Sequence, residues 1–210
     1  MLTKLSQPQG QQSLWPTSSK SVVNMECVRL DSSIDHDFIK QIARDSEQDP
    51  ALCYQCGNCT AGCPYTFVYD IPVHKIMRLL QAGQKQAILS SHSLWLCATC
   101  ESCTTRCPNN IDVARIMDVL RHMARREGYV TEKQVKQFND GFLHSVQKHG
   151  RVFELGTLMR YVARSGRFWT DAELGPKVLA KGKIATRPHN IQGKEHVAKI
   201  INRFLGDEKK

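Results

Sequence analysis

The sequence predicts an all-α fold wrapped around two cysteine loops, and three observations predict it. One cysteine pattern occurs twice. Cys53, Cys56, Cys59 and Cys63 read C-x2-C-x2-C-x3-C before Pro64, and Cys97, Cys100, Cys103 and Cys107 repeat that spacing before Pro108. The 33 residues between Cys63 and Cys97 carry helical rather than strand periodicity. The segments that follow the two runs also repeat each other, at an offset of 40 residues: Ile71/Ile111, Val73/Val113, Lys75/Arg115, Ile76/Ile116, Met77/Met117 and Leu80/Leu120. The cysteine runs align at an offset of 44, so the loop after Pro64 holds four extra residues.

The spacing points to a cofactor. Cysteines at every third residue can wrap three thiolates around three corners of a cube, and the C-x2-C-x2-C-x3-C-P run is the ligand pattern of bacterial-type [4Fe–4S] proteins. In two-cluster ferredoxins the fourth cysteine of each run ligates the other cluster. One cube is therefore expected on Cys53, Cys56, Cys59 and Cys107, and a second on Cys97, Cys100, Cys103 and Cys63. The proline turns the chain away after each crossing ligand and offers no backbone N–H. Small or polar residues between the ligands (Gly57, Asn58, Thr60, Ala98, Thr99, Ser102, Thr104) let backbone N–H groups approach the sulfurs and tune the potential. Structural zinc sites pair C-x2-C units across a longer spacer, and disulfides need an oxidising compartment, whereas no signal peptide is visible. A cytoplasmic location is expected. Small β-type ferredoxins separate their runs with strands and turns, so helices here point to an alpha-helical ferredoxin domain with two [4Fe–4S] clusters plus a C-terminal helical extension.

The elements follow in order. Met1 to about Lys20 is rich in Gln, Ser, Thr and Pro, has no acidic residue and reads as a disordered tail; a transit peptide is disfavoured because arginine is absent there. Val22–Leu30 is a short β-branched run that could form a strand and contains Cys27, the ninth cysteine, expected as a free buried thiol. Asp35 can cap a helix from His36 to about Asp45. After each run an amphipathic helix with an early Pro or Asp is expected, stopping near Gly83 and Gly128, with its Ile and Met stripe in the core. A short helix from Gln84 to about Ser91 fits before the second run. Beyond Gly128, Thr131 and Gln134 form a capping-box pair. They precede a helix with Val135, Phe138, Phe142 and Val146 on one face, ended by Gly150. Glu154–Ser165 presents Leu155, Leu158, Met159 and Val162. Asp171 can cap a short helix through Leu179. Gly193 precedes 194–205, with Val197, Ile200, Ile201 and Phe204 on one side. The expected organisation is a tail at 1–21, the ferredoxin domain at 22–128 and a helical docking extension at 129–210.

Composition narrows the function classes. The chain has 210 residues, 41% hydrophobic, with a formal net charge of +9. Residues 129–210 carry 16 basic and 8 acidic side chains, so the excess lies at the C-terminal end. Two cubes with their thiolates remove about four units of that charge. A nucleic-acid site is disfavoured because no such motif accompanies the basic residues. A docking face for an acidic partner fits better. No apolar run is long enough to span a membrane, and no glycine-rich dinucleotide fingerprint occurs.

With the all-helical spacer, the strings Cys53-Tyr54-Gln55-Cys56-Gly57-Asn58-Cys59-Thr60-Ala61-Gly62-Cys63-Pro64 and Cys97-Ala98-Thr99-Cys100-Glu101-Ser102-Cys103-Thr104-Thr105-Arg106-Cys107-Pro108 give a chain that resembles the C-type iron–sulfur component of heterodisulfide reductase from about Val22 to Leu205. Gly150-Arg151, Lys181-Gly182-Lys183 and the closing amphipathic helix add to the likeness. The resemblance implies an electron relay with two [4Fe–4S] clusters. Its partners would be a flavin-containing A-type subunit and a cysteine-rich catalytic B-type subunit that acts on a disulfide-type substrate. No cysteine follows Cys107, so this chain cannot hold the B-type clusters, and no catalytic residue is expected in it. Two rivals are the iron–sulfur subunit of a glycolate oxidase-like or succinate dehydrogenase-like enzyme. The former often adds C-terminal cysteine-rich domains and the latter a plant-type [2Fe–2S] run, and neither occurs here. A third is a binding module with a structural cluster.

Overall fold

A computed structural model describes residues 34–166, 180–182, 185 and 187–207, and among these every regular element is helical. The expected tail, the run containing Cys27 and the helix at 171–179 lie outside the described residues.

The first helix, α1 (His36–Ser46), starts where Asp35 accepts a hydrogen bond from the Phe38 N–H at 2.8 Å. Two short helices, α2 (Asn58–Ala61) and α6 (Ser102–Thr105), sit inside the cysteine runs. The repeated segments become α3 (Val73–Gln81) and α7 (Val113–Arg126); Pro72 takes the cap position of the first, and the Asp112 carboxylate accepts from the Arg115 N–H to cap the second. Between the runs lie α4 (Lys85–Leu89) and α5 (Ser93–Leu96).

The repeat forms the core. Ile71, Val73, Ile76, Met77 and Leu80 and their counterparts Ile111, Val113, Ile116, Met117 and Leu120 are all buried, with Ile76, Leu80, Ile116 and Leu120 at 0% exposure. Helix α7 packs against α1, α4, α5 and α6, while α2 touches both α3 and α6. Each of these aliphatic side chains contributes about 1.5–3 kcal/mol by leaving water. The stripe at helical spacing is therefore core, and it fixes the two cysteine loops beside one another.

Both repeat helices end in the same way. Gln84 N–H donates to Leu79 O and Gly83 N–H to Leu80 O; Tyr129 N–H donates to Ala124 O and Gly128 N–H to Arg125 O. These are Schellman endings with a left-handed glycine at φ +63° and +82°. They differ in surroundings. A Cβ on Gly83 would lie 2.6 Å from the Asp35 backbone N, whereas one on Gly128 would meet nothing within 4 Å. Gly83→Ala is expected to cost about 2–4 kcal/mol and Gly128→Ala about 1–2 kcal/mol, the left-handed penalty alone. Thermal melts of the two cluster-loaded variants side by side check this, and an equal loss at both sites would contradict it.

Asp70 ties the longer loop to the segment before the second run. Its carboxylate accepts from Ser91 Oγ, Ser93 Oγ and the backbone N–H groups of His92 and Ser93 at 2.6–3.0 Å. Burial pushes its pKa up, but these hydrogen bonds outweigh burial and hold it below the usual carboxylate range.

The C-terminal part adds α8 (Lys133–His149), α9 (Glu154–Ser165) and α10 (Lys194–Asp207). The expected capping box is not formed: Glu132 occupies the cap position of α8 with no side-chain cap bond, and the Thr131 hydroxyl donates to Ser91 O instead. Thr131 is recruited to hold α8 on the cluster domain, where Arg125–Asp140 and His92–Glu132 also bridge at 2.9 and 2.8 Å. The face of α8 that buries is not its apolar one. Gly141 and Ser145 are buried against α9, where Thr157 is buried and Ser145 Oγ accepts from the Phe153 N–H. Phe138, Phe142, Leu158 and Met159 are left 41–65% exposed. Small residues let the two helices approach closely, and that close approach turns the bulky apolar side chains outward.

Candidate metal centre

The two runs curl alike. Gln55 and Thr99 have φ of +63° and +51°, and Gly57 and Glu101, also 44 residues apart, have +80° and +61°. Left-handed residues on both sides of Cys56 and of Cys100 wrap each loop around its own centre. Three of the four are not glycine, so the backbone carries strain of order 1 kcal/mol per residue that the surrounding structure must over-determine.

Two pairs of side chains hold the loops, and both pairs follow the repeat. Thr60 Oγ accepts the His74 backbone N–H, and Thr104 Oγ accepts that of Ala114. Each threonine thereby staples the loop to the start of the helix after it. Gln81 Nε2 donates to Cys53 O at 2.7 Å, and Arg121 Nη1 donates to Cys97 O at 2.8 Å. The same helical position thus clamps the carbonyl of the first cysteine in each run. Sequence reasoning used Thr60 and Thr104 only as small polar residues and did not single out Gln81 or Arg121. The offset of 40 that pairs Gln81 with Arg121 was the available signal, but these two residues share no chemistry beyond N–H donation.

The structure places Cys63, from the first run, with Cys97, Cys100 and Cys103 around one small cavity, with Tyr65 and Tyr69 also on its wall. Tyr69 is 3% exposed and shares the wall of this cavity with Cys63 and Cys97. On the other side, Cys59 lies in the field of Cys53 and Cys56, and the exposed Tyr54 hydroxyl lies beside Cys56 and Cys107. Cys56 and Cys100 are exposed, Cys59 is buried and the remaining five are half-buried. Among the described residues no three His, Cys, Asp or Glu side chains close round a single ion, and these eight cysteines are free thiols.

The donor sets suit thiolate-ligated iron. Burial pushes the Cys59 thiol up and Cys103 to about 11, and a metal that binds a thiolate displaces that proton. The Ser102 hydroxyl, 3.5 Å from Cys100 Sγ, pulls that thiol down. Gln55 Nε2 donates to Cys53 Sγ at 3.3 Å. A cup of four thiols, and in the other run the Gln55 N–H aimed at a sulfur, match what a [4Fe–4S] cube requires.

Comparison with known proteins agrees. The 4Fe-4S dicluster domain family matches residues 52–112, so the chain carries two [4Fe–4S] clusters. The C-type component of the H(2):CoB-CoM heterodisulfide,ferredoxin reductase of Methanothermobacter thermautotrophicus is 31% identical over 125 residues, 59% of this chain and 68% of the relative. A C-type iron–sulfur component of the CoB--CoM heterodisulfide reductase of Methanocaldococcus jannaschii is 26% identical over 151 residues, 67% of this chain and 80% of the relative. The C-type component of the Ferredoxin:CoB-CoM heterodisulfide reductase of Methanosarcina acetivorans is 40% identical over 81 residues, 39% of this chain and 32% of the relative. No helix among the described residues is long and apolar enough to cross a membrane. A doubled cysteine run folded into two adjacent thiol cups on a helical core, together with these likenesses, places the function in electron transfer: the chain belongs to the family of C-type heterodisulfide reductase components and is an iron–sulfur electron-transfer subunit.

Proposed function

We propose that this chain relays electrons between a flavin-containing A-type subunit and a cysteine-rich catalytic B-type subunit of a heterodisulfide reductase-like complex acting on a disulfide substrate. Cys53, Cys56, Cys59 and Cys107 hold one cube, and Cys97, Cys100, Cys103 and Cys63 hold the other. The observation that carries this reading is the interleaving of the runs: Cys63 shares a cavity with the second run, and Cys107 lies within electrostatic range of Tyr54 in the first. Interleaved ligands force the cubes to be neighbours, and neighbouring one-electron centres suit passage of electrons rather than storage. One cysteine of each set is exposed, Cys56 and Cys100, so each cube has an edge from which an electron can enter or leave.

Residues 129–210 serve docking. Their exposed apolar side chains on α8 and α9 would supply most of the affinity and their basic excess would aid encounter.

Anaerobically prepared protein is expected to hold about eight irons and eight acid-labile sulfides. It should take electrons from dithionite and turn over no disulfide substrate until the partner subunits are added. Stoichiometric zinc in place of iron, or turnover by this chain alone, would overturn the proposal.

A further inference from the structure

The repeat makes the two cysteine loops near-copies, so a difference between them at equivalent positions is informative, and two such differences lie against the second run. Tyr69 stands two residues before Ile71, where Asn109 stands before Ile111. Tyr69 is buried on the cavity wall with Cys63 and Cys97, whereas Asn109 turns its amide to the Leu52 carbonyl. Arg121 stands where the first repeat has the neutral Gln81. Its guanidinium reaches Cys97 O and Thr99 Oγ1, with Asp118 as its partner.

We propose that the Tyr69 hydroxyl donates a hydrogen bond to the thiolates of the second cube and, with Arg121 beside it, makes that cube the easier of the two to reduce. The inference rests on the ligand sets proposed above. A cube with four thiolates passes from about −2 to about −3 on taking one electron, and no proton need move with it. A donor or cation fixed against its sulfurs stabilises the more negative form, which raises the potential. The strength of that effect depends on water. Tyr69 is 3% exposed, so no solvent competes for its sulfur partners and the low local dielectric strengthens the bond. A tyrosine hydroxyl is protonated at neutral pH and so is a donor. The first run has donors of its own in Gln55, 3.3 Å from Cys53 Sγ, and in Tyr54. Tyr54 is 62% exposed, however, and water can replace its hydroxyl.

The test is a redox titration of the loaded full-length protein, followed by electron paramagnetic resonance and preceded by an iron count. The unsubstituted protein is expected to show two waves. Tyr69→Phe should lower the higher one, with the reduced-to-oxidised ratio at fixed poise falling about tenfold, equivalent to about 59 mV for one electron. Arg121→Gln should lower the same wave by less, because Asp118 already offsets much of its charge. Tyr54→Phe should move neither wave by more than about a third of that amount. The proposal is overturned if Tyr69→Phe leaves both waves in place, raises one or moves the lower one, or if it sheds iron, which would make the hydroxyl a support of the cube rather than a tuner. Failure of the ligand sets is separately visible, because the unsubstituted protein would then lack eight irons.

Discussion

Cys107→Ala is expected to damage the cube held by Cys53, Cys56 and Cys59, although more than forty residues of chain separate it from them. Anaerobic preparations should lose between one iron, the corner that Cys107 would hold, and about four, the whole cube. The signal of the cube on Cys97, Cys100, Cys103 and Cys63 should persist. The expectation follows from the crossing of fourth ligands between runs and from Cys107 lying within electrostatic range of Tyr54 in the first run. Cys63→Ala is the mirror experiment and should spare the first cube. Cys27→Ser should keep all eight irons. Iron counts with electron paramagnetic resonance of the reduced variants distinguish the outcomes, and selective loss of the Cys97–Cys103 cube in the Cys107 variant would refute the crossing.

The second large effect concerns assembly. Leu158 and Met159 on α9 are 50% and 65% exposed, so replacing both with glutamate removes little packing from the isolated chain. If this face meets the catalytic partner, two charges at its centre should weaken co-purification at least thirtyfold, the consequence of losing about 2 kcal/mol or more at a hot spot. The variant should melt within about 1 kcal/mol of the original stability and keep its irons. A variant that still assembles normally would move the docking surface elsewhere on the chain, the more exposed cluster edges being the next place to look.

Much of this protein was legible in the order of its residues because local rules governed it. Cluster ligation needs cysteines at fixed short spacing, so the runs, the cofactor and the count of two could be read directly. The buried Ile, Met and Leu stripe of α3 and α7 obeyed a simple helical period, and Asp35, Gly83, Gly128 and Gly150 marked helix ends by their own conformational and hydrogen-bonding chemistry. What resisted reading was long-range. Thr131 looked like half of a capping box, yet it donates to Ser91, forty residues earlier. On α8 it is Gly141 and Ser145 that bury and not the apolar face, because α9 can approach small residues more closely than Phe138 and Phe142 allow.

The contacts that shape each thiol cup belong to the same class. Gln81 and Arg121 reach cysteines more than twenty residues away through single hydrogen bonds, and Tyr69 meets Cys97 across a crossing of the runs, contacts that leave no periodic trace in the chain. The residue order alone therefore establishes that two iron–sulfur cubes are held on a repeated helical scaffold. Which donor faces which sulfur, and so how the two cubes differ, emerges only when the repeats pack together, because a hydrogen bond's strength is set by the burial and neighbours that packing creates.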